Sequence, residues 1–466
     1  MLDTRGVPET SGAATEASAA GSTSADPPTS TSSDETTMGL APTGETGETD
    51  GAPGSSGALA TTDSPSGSAG SEGGESSGGA LPGCLDGVLD GEEECDDGNK
   101  QPGDGCEANC RPMFREEKFA VAAPRGLAAA DLDGDGEVEL VVAQDDFSPA
   151  NPDVTVLVYE GGVFTAHAFD DEVYANVSQV VVGQFAGDPL PDVVVINPDG
   201  PGMRLWTNVS GMAIAFEQSG IGNLASLQVG AAAAIRLDAT PLDDLVVVSP
   251  GKNFIFVIQN DGDLDVIPVG VASQLPKPFA LAAGAFQPGD AFEDVIAVHP
   301  EIDDLSEYRG GGDGTLIKNE ATVSVCAGEP RGIAAGDADG LGARDDSVIA
   351  CSDGAVTLYG NDGMDRYISS IGAGELGVPA SAGMIDIYDD GGDSDLFVLT
   401  EDPKDLRIVV RRDGESIVAL PIPLASFGVA AVAADVDDDG AQDLAVASPV
   451  AGVVHVFFNQ TQLPSP

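Results

Sequence analysis

Residues 127–143, LAAADLDGDGEVELVVA, and residues 432–448, VAADVDDDGAQDLAVAS, follow the same pattern. Each copy begins with a run of small residues, passes through an acidic turn that contains Gly, and ends with one acid followed by a short apolar run. Short apolar runs bounded by turn residues are typical of β-strands. Each copy therefore predicts a strand, an acidic turn and a second strand.

Five further copies of this pattern lie between these two. One acid directly precedes each apolar run, and consecutive acids are 48 to 53 residues apart. A period near 50 residues is typical of one four-stranded propeller blade, and seven blades lie within the common range. We therefore predict an all-β fold, a seven-bladed β-propeller of four-stranded blades over residues 113–460. The seven acids are Glu139, Asp192, Asp244, Asp294, Asp346, Asp395 and Asp443.

The seventh copy is one strand short. After residues 453–460 the sequence continues for only six residues, too few for a fourth strand. A strand-like segment, FREEKFAVA at 114–122, precedes the first copy and has no other assigned place. We predict that this segment closes the ring as the outer strand of blade seven, which also removes an open sheet edge.

A long polar segment precedes the repeats. Residues 1–82 consist mostly of Ser, Thr, Gly, Ala, Pro and Glu and contain no aromatic residue. Such a segment cannot bury enough apolar surface to offset the entropy lost on ordering it. We predict a disordered stalk, which serves either as a spacer or has no function.

Residues 83–111 form a separate segment with four Cys among Gly and Asp residues. A segment this small has no core and needs covalent or metal links. Zinc sites usually use two close Cys pairs, a spacing absent here, so two disulfides of open connectivity fit better. We predict a third disulfide between blades four and five, with two buried free thiols as the alternative. The predicted disulfide cysteines are Cys84, Cys95, Cys106, Cys110, Cys326 and Cys351.

Two strings in this segment, GEEECDDGN at 91–99 and GDGC at 103–106, resemble the short Cys-rich repeat of bacterial secreted and surface proteins. The resemblance implies an oxidising compartment. The first residues, MLDTRGVPET, lack the charged region and following apolar region of an export leader. We expect an extracellular or cell-surface protein whose leader lies upstream of this start.

The chain is strongly negative, with 78 acids against 19 bases and a net charge of −59. Such a field repels nucleic-acid backbones and anionic membrane surfaces and attracts divalent cations. No apolar run approaches the ~18 residues of a membrane-spanning helix. We therefore expect a monomer with no nucleic-acid partner and no transmembrane segment.

The seventh copy resembles a known repeat family. It contains Phe427-Gly428, then DVDDDG at 435–440, then DLAVASP at 443–449. This arrangement resembles the FG-GAP repeat of integrin α-subunit propellers and the related VCBS-type repeats of bacterial surface proteins. The resemblance is strong in the first and seventh copies and implies a propeller with calcium-binding turns. The second, third and fourth copies have lost most of their turn acids, which argues against calcium there.

The acidic turns themselves predict calcium sites. Acids at alternate positions converge on one point because Gly lets the turn close tightly, and oxygen ligands in this number suit Ca²⁺. The alternative is an acidic turn that binds nothing. The predicted ligands are Asp131, Asp133, Asp135, Glu137 and Glu139 in the first copy, and Asp435, Asp437, Asp439, the Ala441 carbonyl and Asp443 in the seventh. Less complete sets lie in the fifth copy (Asp337, Asp339, and Asp345 or Asp346) and in the sixth (Asp386, Asp390 and Asp395).

Motifs for catalysis are scarce. The three His residues lie in three different copies, and no nucleophile, metalloprotease or phosphate-loop motif is present. We therefore expect no enzyme but a calcium-binding recognition or adhesion module for a protein or a glycan. The alternative is a secreted lyase or hydrolase that acts on polysaccharides.

Loops on the side opposite the acidic turns suit recognition. The longest predicted loop there, residues 299–313, holds Tyr308 and Arg309, residue types favoured in interfaces. We predict a partner site around this loop, with residues 145–153 beside it. The alternative is a loose insertion at a surface turn.

Overall fold

The computed structural model is all-β, and no helix occurs in the part of the chain that it describes. Accordingly, no helix within that part is long and apolar enough to cross a membrane. The predicted stalk, Cys84 and Asp390 lie outside the described residues. The structure describes residues 86, 88, 94–96, 98, 105–107, 110–145, 151–170, 177–197, 202–211, 213–221, 228–262, 269–272, 275–287, 291–340, 344–361, 366–371, 376–388, 393–412, 415–418 and 421–461.

Seven antiparallel sheets account for the described strands, and each sheet is one blade. Blade one contains β2 (Pro124–Ala130), β3 (Glu139–Gln144), β4 (Val154–Glu160) and β5 (Val163–Phe169). Blade two contains β6 (Gln179–Gly183), β7 (Asp192–Asn197), β8 (Gly202–Asn208) and β9 (Phe216–Gly220). Blade three contains β10 (Ala232–Ile235), β11 (Asp244–Ser249), β12 (Phe254–Ile258) and β13 (Val269–Ala272). Blade four contains β14 (Ala280–Gly284), β15 (Asp294–His299), β16 (Asp304–Gly310) and β17 (Leu316–Ser324).

The remaining blades follow the same plan. Blade five contains β18 (Pro330–Gly336), β19 (Asp346–Cys351), β20 (Val356–Asn361) and β21 (Arg366–Ile371). Blade six contains β22 (Pro379–Ile385), β23 (Asp395–Thr400), β24 (Asp405–Arg412) and β25 (Glu415–Val418), and the short β26 (Ile422–Pro423) also pairs with β24. Blade seven contains β27 (Ala430–Ala434), β28 (Asp443–Ser448), β29 (Val453–Asn459) and β1 (Phe114–Ala120). The predicted seven-bladed propeller of four-stranded blades is confirmed.

The N-terminal strand β1 closes the ring, as predicted. It pairs antiparallel with β29, so that Phe114 lies opposite Asn459 and Ala120 lies opposite Val453. The strand ends two residues before the predicted boundary, where Val121 N donates a 3.1 Å hydrogen bond to the Gly452 carbonyl. Blade seven is thus assembled from both ends of the repeat region.

Residue size follows the position of each strand in its blade. Most first strands are rich in Ala and Gly, as in the AAVAA of β27, and the first strands contact one another around a closed ring. The second strands are buried along their whole length in all seven blades. Bulky side chains lie in third strands, where neighbouring blades diverge; Trp206 of β8 and Phe457 of β29 are almost fully buried. Small residues near the axis and large ones further out fill the wedge between blades.

The strand directions define two faces of the ring. The turns from first to second strand and from third to fourth strand lie on one face, which we call the acidic-turn face. The turns from second to third strand and the links between blades lie on the other, which we call the opposite face. Each predicted acid is the first residue of a second strand and therefore lies on the acidic-turn face.

The prediction of a long recognition loop at 299–313 was wrong. Residues 304–310 form strand β16, and only residues 300–303 connect it to β15. Tyr308 pairs with Val295 across this sheet and is fully buried, whereas Arg309 is exposed. The flanking Gly and Asp residues suggested a loop, but the tertiary contacts of the sheet override that composition. In the second predicted loop, residues 146–150 lie outside the described residues.

Disulfides occur in two parts of the structure, the interface of blades four and five and the Cys-rich segment. Cys326, just after β17, is bonded to Cys351 at the end of β19, with a Cα–Cα distance of 5.6 Å, which confirms the predicted link between blades four and five. In the Cys-rich segment, Cys95 is bonded to Cys106 with a Cα–Cα distance of 5.8 Å, and Cys110 is also disulfide-bonded. This segment contacts blade six, where the Tyr388 hydroxyl donates a 2.8 Å hydrogen bond to the buried carboxylate of Glu107.

Candidate metal sites on the acidic-turn face

The acid at the start of each second strand is buried in every blade, with at most 4% of its surface exposed. In blade two, Asp192 Oδ2 accepts hydrogen bonds from Phe185 N at 2.9 Å and Ala186 N at 2.6 Å. Asp192 Oδ1 accepts a third from Asn208 N at 2.8 Å, at the end of the third strand. One carboxylate therefore fastens the turn between the first two strands to the end of the third strand.

In four other blades, the acid accepts the equivalent hydrogen bond from the backbone N–H of the residue sixteen positions later, at the end of the third strand. The backbone N–H groups donate at 2.8 Å (Asn260 to Asp244), 3.0 Å (Gly310 to Asp294), 2.7 Å (Arg411 to Asp395) and 2.8 Å (Asn459 to Asp443). The acid thus has a structural role in blades whose turns have lost their other acids, which explains why it recurs there. Our sequence interpretation considered it only as a metal ligand.

An Asn at the end of the third strand connects neighbouring blades. Asn208 Nδ2 donates to the Leu132 carbonyl of blade one at 2.8 Å, and Asn260 Nδ2 donates to the Phe185 carbonyl of blade two at 2.9 Å. Asn459 makes the equivalent 2.8 Å bond to the Ile387 carbonyl of blade six. These residues were missed in the sequence, although each stands sixteen residues after a repeated acid. Blades two, three and seven thereby each hold the turn between the first two strands of the preceding blade.

Three acidic turns bring ligand-type side chains together. In blades one, five and seven, three carboxylates place oxygen atoms within 4.8 Å of one another. Each cluster uses the first and third positions of the turn together with the buried acid of the second strand. The three clusters are Asp131, Asp133 and Glu139; Asp337, Asp339 and Asp346; and Asp435, Asp437 and Asp443.

The other predicted carboxylate ligands of the first and seventh turns are not among the three carboxylates of either cluster. Asp135 Oδ1 accepts a hydrogen bond from Glu137 N at 2.9 Å, and Asp439 Oδ1 accepts one from Ala441 N at 2.9 Å. These carboxylates stabilise the turn locally, as Asp side chains often do in turns. The fifth-position acid of each turn therefore bonds to the backbone of the seventh-position residue.

The turns close around their first acid. Asp131 accepts hydrogen bonds from Gly134 N at 2.7 Å and Gly136 N at 3.0 Å, and Asp435 accepts one from Gly440 N at 3.0 Å. Gly136 and Gly440 have φ angles of 98° and 91°, a region that residues with a side chain rarely adopt. The Gly residues therefore permit the tight turn that carries the acids to one point.

The fifth turn uses one of its two predicted alternatives, and the sixth turn lies partly outside the described residues. In blade five, Asp346 belongs to the cluster, whereas Asp345 faces blade four and accepts a 2.5 Å hydrogen bond from Ala285 N. In blade six, Asp386 and Asp395 are described but Asp390 is not, and the described residues of that turn form no such group.

The clusters disfavour full ionisation on their own. Burial, together with the neighbouring charges of Asp133, Asp135 and Asp131, raises the pKa of Glu139 to about 7. In blade seven, burial raises the pKa of Asp443 to about 7, and the charges of Asp437 and Asp439 act in the same direction. Asp437 Oδ1 is buried and accepts no hydrogen bond. A cation would relieve each of these costs, and oxygen-only ligands suit a hard divalent cation.

Comparison with known proteins identifies the fold. No protein-family model matches the chain, and no curated protein matches it. The chain is similar to the crystal structure of BBS1N in complex with ARL6DN soaked with lead, at 14% identity and a TM-score of 0.52, covering 76% of this chain and 99% of that one. The mercury-soaked crystal of the same complex gives 14% identity and a TM-score of 0.50, with the same coverage. Virginiamycin B lyase from Staphylococcus aureus gives 11% identity and a TM-score of 0.48, covering 74% of this chain and 99% of that one. At this level of identity, the similarity to the two BBS1N structures shows a shared β-propeller fold and nothing further.

Proposed function

We propose that the protein is a non-enzymatic, calcium-binding propeller that acts outside the cell or at its surface, as a recognition or adhesion module for a protein or a glycan. The observation that carries the proposal is the repetition of one carboxylate cluster at equivalent positions of blades one, five and seven. Chance pairing of acids on a chain of net charge −59 would not favour the same three turn positions each time.

Calcium is the cation that the turns favour. Asp435, Asp437 and Asp443 would hold it in blade seven, and Asp131, Asp133 and Glu139 in blade one. When bound, the ion supplies positive charge where the carboxylates repel one another. Flexible loops that supply several oxygen ligands suit Ca²⁺ better than Mg²⁺, which keeps most of its water. The resemblance of these two turns to FG-GAP and VCBS-type repeats supports the same choice.

Recognition fits the rest of the molecule better than catalysis does. Two of the three His residues serve structural contacts. His299 Nδ1 bonds to the Pro276 carbonyl at 3.0 Å, and His455 Nδ1 bonds to Glu116 Oε1 on the closing strand at 2.6 Å. Disulfides support placement in an oxidising compartment. A ring held by repeated bonds between blades can present loops in a fixed arrangement, which suits recognition.

Calcium titration by isothermal calorimetry tests the metal site. We expect binding by the chelator-treated protein and weaker binding after Asp437→Asn, because the variant loses one charged ligand. Asp188→Asn is the matched control, since Asp188 occupies the acidic turn of blade two, where it accepts a hydrogen bond from Leu190 N and the described residues form no carboxylate cluster. At calcium 100-fold above its Kd, each occupied site should stabilise the fold by about 2.7 kcal/mol. Absence of calcium binding, or equal effects of the two substitutions, would contradict the proposal.

The recognition role is tested separately from the metal. Binding arrays of glycans and extracellular proteins would be compared with a turnover screen on polysaccharides. Binding without turnover is the expected result. Cleavage of a polysaccharide would instead favour the secreted lyase or hydrolase.

A further inference from the structure

A cavity of about 420 Å³ opens on the opposite face, where blades four, five and six meet near their first strands. Its volume lies within the ~300–1,000 Å³ that is usual for small-ligand sites. Its wall includes Phe279 and Pro300 of blade four, Glu329, Pro330 and Arg331 at the start of blade five, and Glu401 of blade six. The wall thus combines one aromatic ring, two Pro rings and three charged side chains.

Phe279 is exposed although it is a large apolar side chain. Its exposed fraction is 52%, and it is the one aromatic residue among the exposed large hydrophobic side chains of the described residues. The backbone holds it there, because Phe279 N donates a 3.0 Å hydrogen bond to the Val298 carbonyl of the second strand. Two residues earlier, Lys277 N donates a 2.9 Å bond to Asn253 Oδ1 of blade three. These two hydrogen bonds therefore fix the backbone of the loop that carries the exposed ring, residues 276–279.

The buried His299, at the end of β15, holds the loop of residues 276–279 through the Pro276 carbonyl. His299 is fully buried, and burial lowers its pKa, so the ring is neutral near pH 7. Its Nδ1 donates to the Pro276 carbonyl at 3.0 Å, which leaves Nε2 to accept from Ser306 Oγ at 2.7 Å. Ser306 Oγ lies 3.3 Å from the buried Tyr308 hydroxyl. Tyr308, first expected at the surface, thus supports the loop that presents Phe279.

The charged side chains around the cavity indicate whether an anionic, a cationic or a neutral ligand fits it best. Arg331 Nη1 and Glu401 Oε2 form an ion pair at 2.7 Å, whereas Glu329 makes no ion pair with any described residue. An anionic ligand would meet two carboxylates and the field of the whole chain. A cationic ligand would have to displace the guanidinium of Arg331 to reach Glu401, which leaves it Glu329 alone. A neutral ligand with many hydroxyl groups can donate to the carboxylates and accept from Arg331 at once.

We propose that this cavity binds a neutral sugar residue of a glycan. The apolar face of the sugar packs on the ring of Phe279, and its hydroxyl groups bond to Arg331, Glu401 and Glu329. The inference rests on the proposed recognition function, and it names both the place of binding and the chemical class of the ligand.

The test uses an array of neutral, uronic-acid-containing and sulfated oligosaccharides, followed by calorimetry with the best neutral binder. We expect neutral oligosaccharides to bind selectively. Phe279→Ala should weaken their binding at least about tenfold, because it removes the aromatic platform. Ile368→Ala is the control, because Ile368 is similarly exposed, at 48%, on β21 and outside the cavity. Both variants should keep the melting temperature of the parent.

Three results would overturn the inference: no neutral oligosaccharide bound, a preference for charged ones, or unchanged affinity after Phe279→Ala. Calcium titrations of the same samples separate this failure from failure of the proposed function. Retained calcium binding, with a protein ligand found on the extracellular-protein array described above, would keep the recognition module and reject only the sugar site. Sugar binding that depends on Phe279, without any calcium binding, would keep the sugar site and reject the calcium site.

Discussion

A single carboxyl group determines whether each acidic turn stays attached to its blade. Asp244 illustrates this in blade three, where no group of metal-ligating side chains occurs among the described residues. Its carboxylate accepts hydrogen bonds from Asn260 N at 2.8 Å and Leu237 N at 3.3 Å. Burial, together with the charges of Asp238 and Asp261, raises its pKa to about 6. The charge is therefore costly to the fold even though the hydrogen bonds stabilise it.

This cost predicts a pH dependence that calcium does not influence. Because the pKa of Asp244 rises from 3.8 unfolded to about 6 folded, its stabilising contribution is complete below pH 3.8 and is lost as the pH rises through 6. Asp244→Asn should lower stability at pH 5, by about 1 kcal/mol for a weakened hydrogen bond. The difference in the free energy of unfolding between the variant and the parent protein should be smaller at pH 7.5. Thermal unfolding in chelator at both pH values measures this, and a difference of constant size would contradict it.

The strands show where sequence reasoning succeeds and where it fails. All seven repeated acids begin second strands. The sequence located these strands because one acid directly precedes a short apolar run in every copy. Strand β16 was missed because Ser306 and Glu307 are polar but buried, and their burial depends on Tyr359 and His299 from elsewhere in the sequence. The first and third acids of the turns in blades one, five and seven lie close to the buried acid, and metal binding by them stays a prediction. The fifth and seventh positions could not be assigned, because the hydrogen bonds within the turn decide where those groups point.

The closing strand β1 is the element whose contribution can be isolated most directly. Removal of residues 1–122 should destabilise the ring, whereas removal of residues 1–82 should not. Burial of Phe114 alone, which packs edge-on against Phe457, is worth about 2–3 kcal/mol. The free energy of unfolding in urea would be compared for the two truncations.

A peptide provides the control for that comparison. FREEKFAVA added to the shorter chain should restore part of the lost stability by pairing with β29, and a scrambled peptide should not. Equal stability of the two truncations would argue against closure by this strand.

The ring as a whole depends on contacts between neighbouring blades. Most of these contacts are hydrogen bonds and apolar packing, and the interface between blades four and five adds the Cys326–Cys351 disulfide. The same interface contains a buried polar contact, in which the Tyr359 hydroxyl donates a 2.5 Å bond to Glu307 Oε1. Burial raises the pKa of Tyr359 to about 12, so the hydroxyl keeps its proton near neutral pH.

Replacement of Cys326 and Cys351 by Ala should lower the free energy of unfolding by about 2–4 kcal/mol, the usual range for such a link. The ring should still unfold in one transition, because the remaining interfaces are unchanged. Replacement of Cys95 and Cys106 by Ala, outside the seven sheets, is the comparison and should have a smaller effect. Equal losses from the two pairs in urea unfolding would contradict a specific role for the link between blades.

The pairing of β1 with β29 also determines how the molecule responds to mechanical force. Tension transmitted through the Cys-rich segment first meets the Glu107–Tyr388 contact with blade six and then enters the ring at the start of β1. Beyond that contact, the backbone bonds between Phe114–Ala120 and Val453–Asn459 carry the tension. A pull along β1 loads those bonds together, in shear, whereas a pull across it breaks them one after another from Phe114. Once the contact with blade six is lost, blade seven therefore opens before the other blades, and the direction of the pull sets the force required.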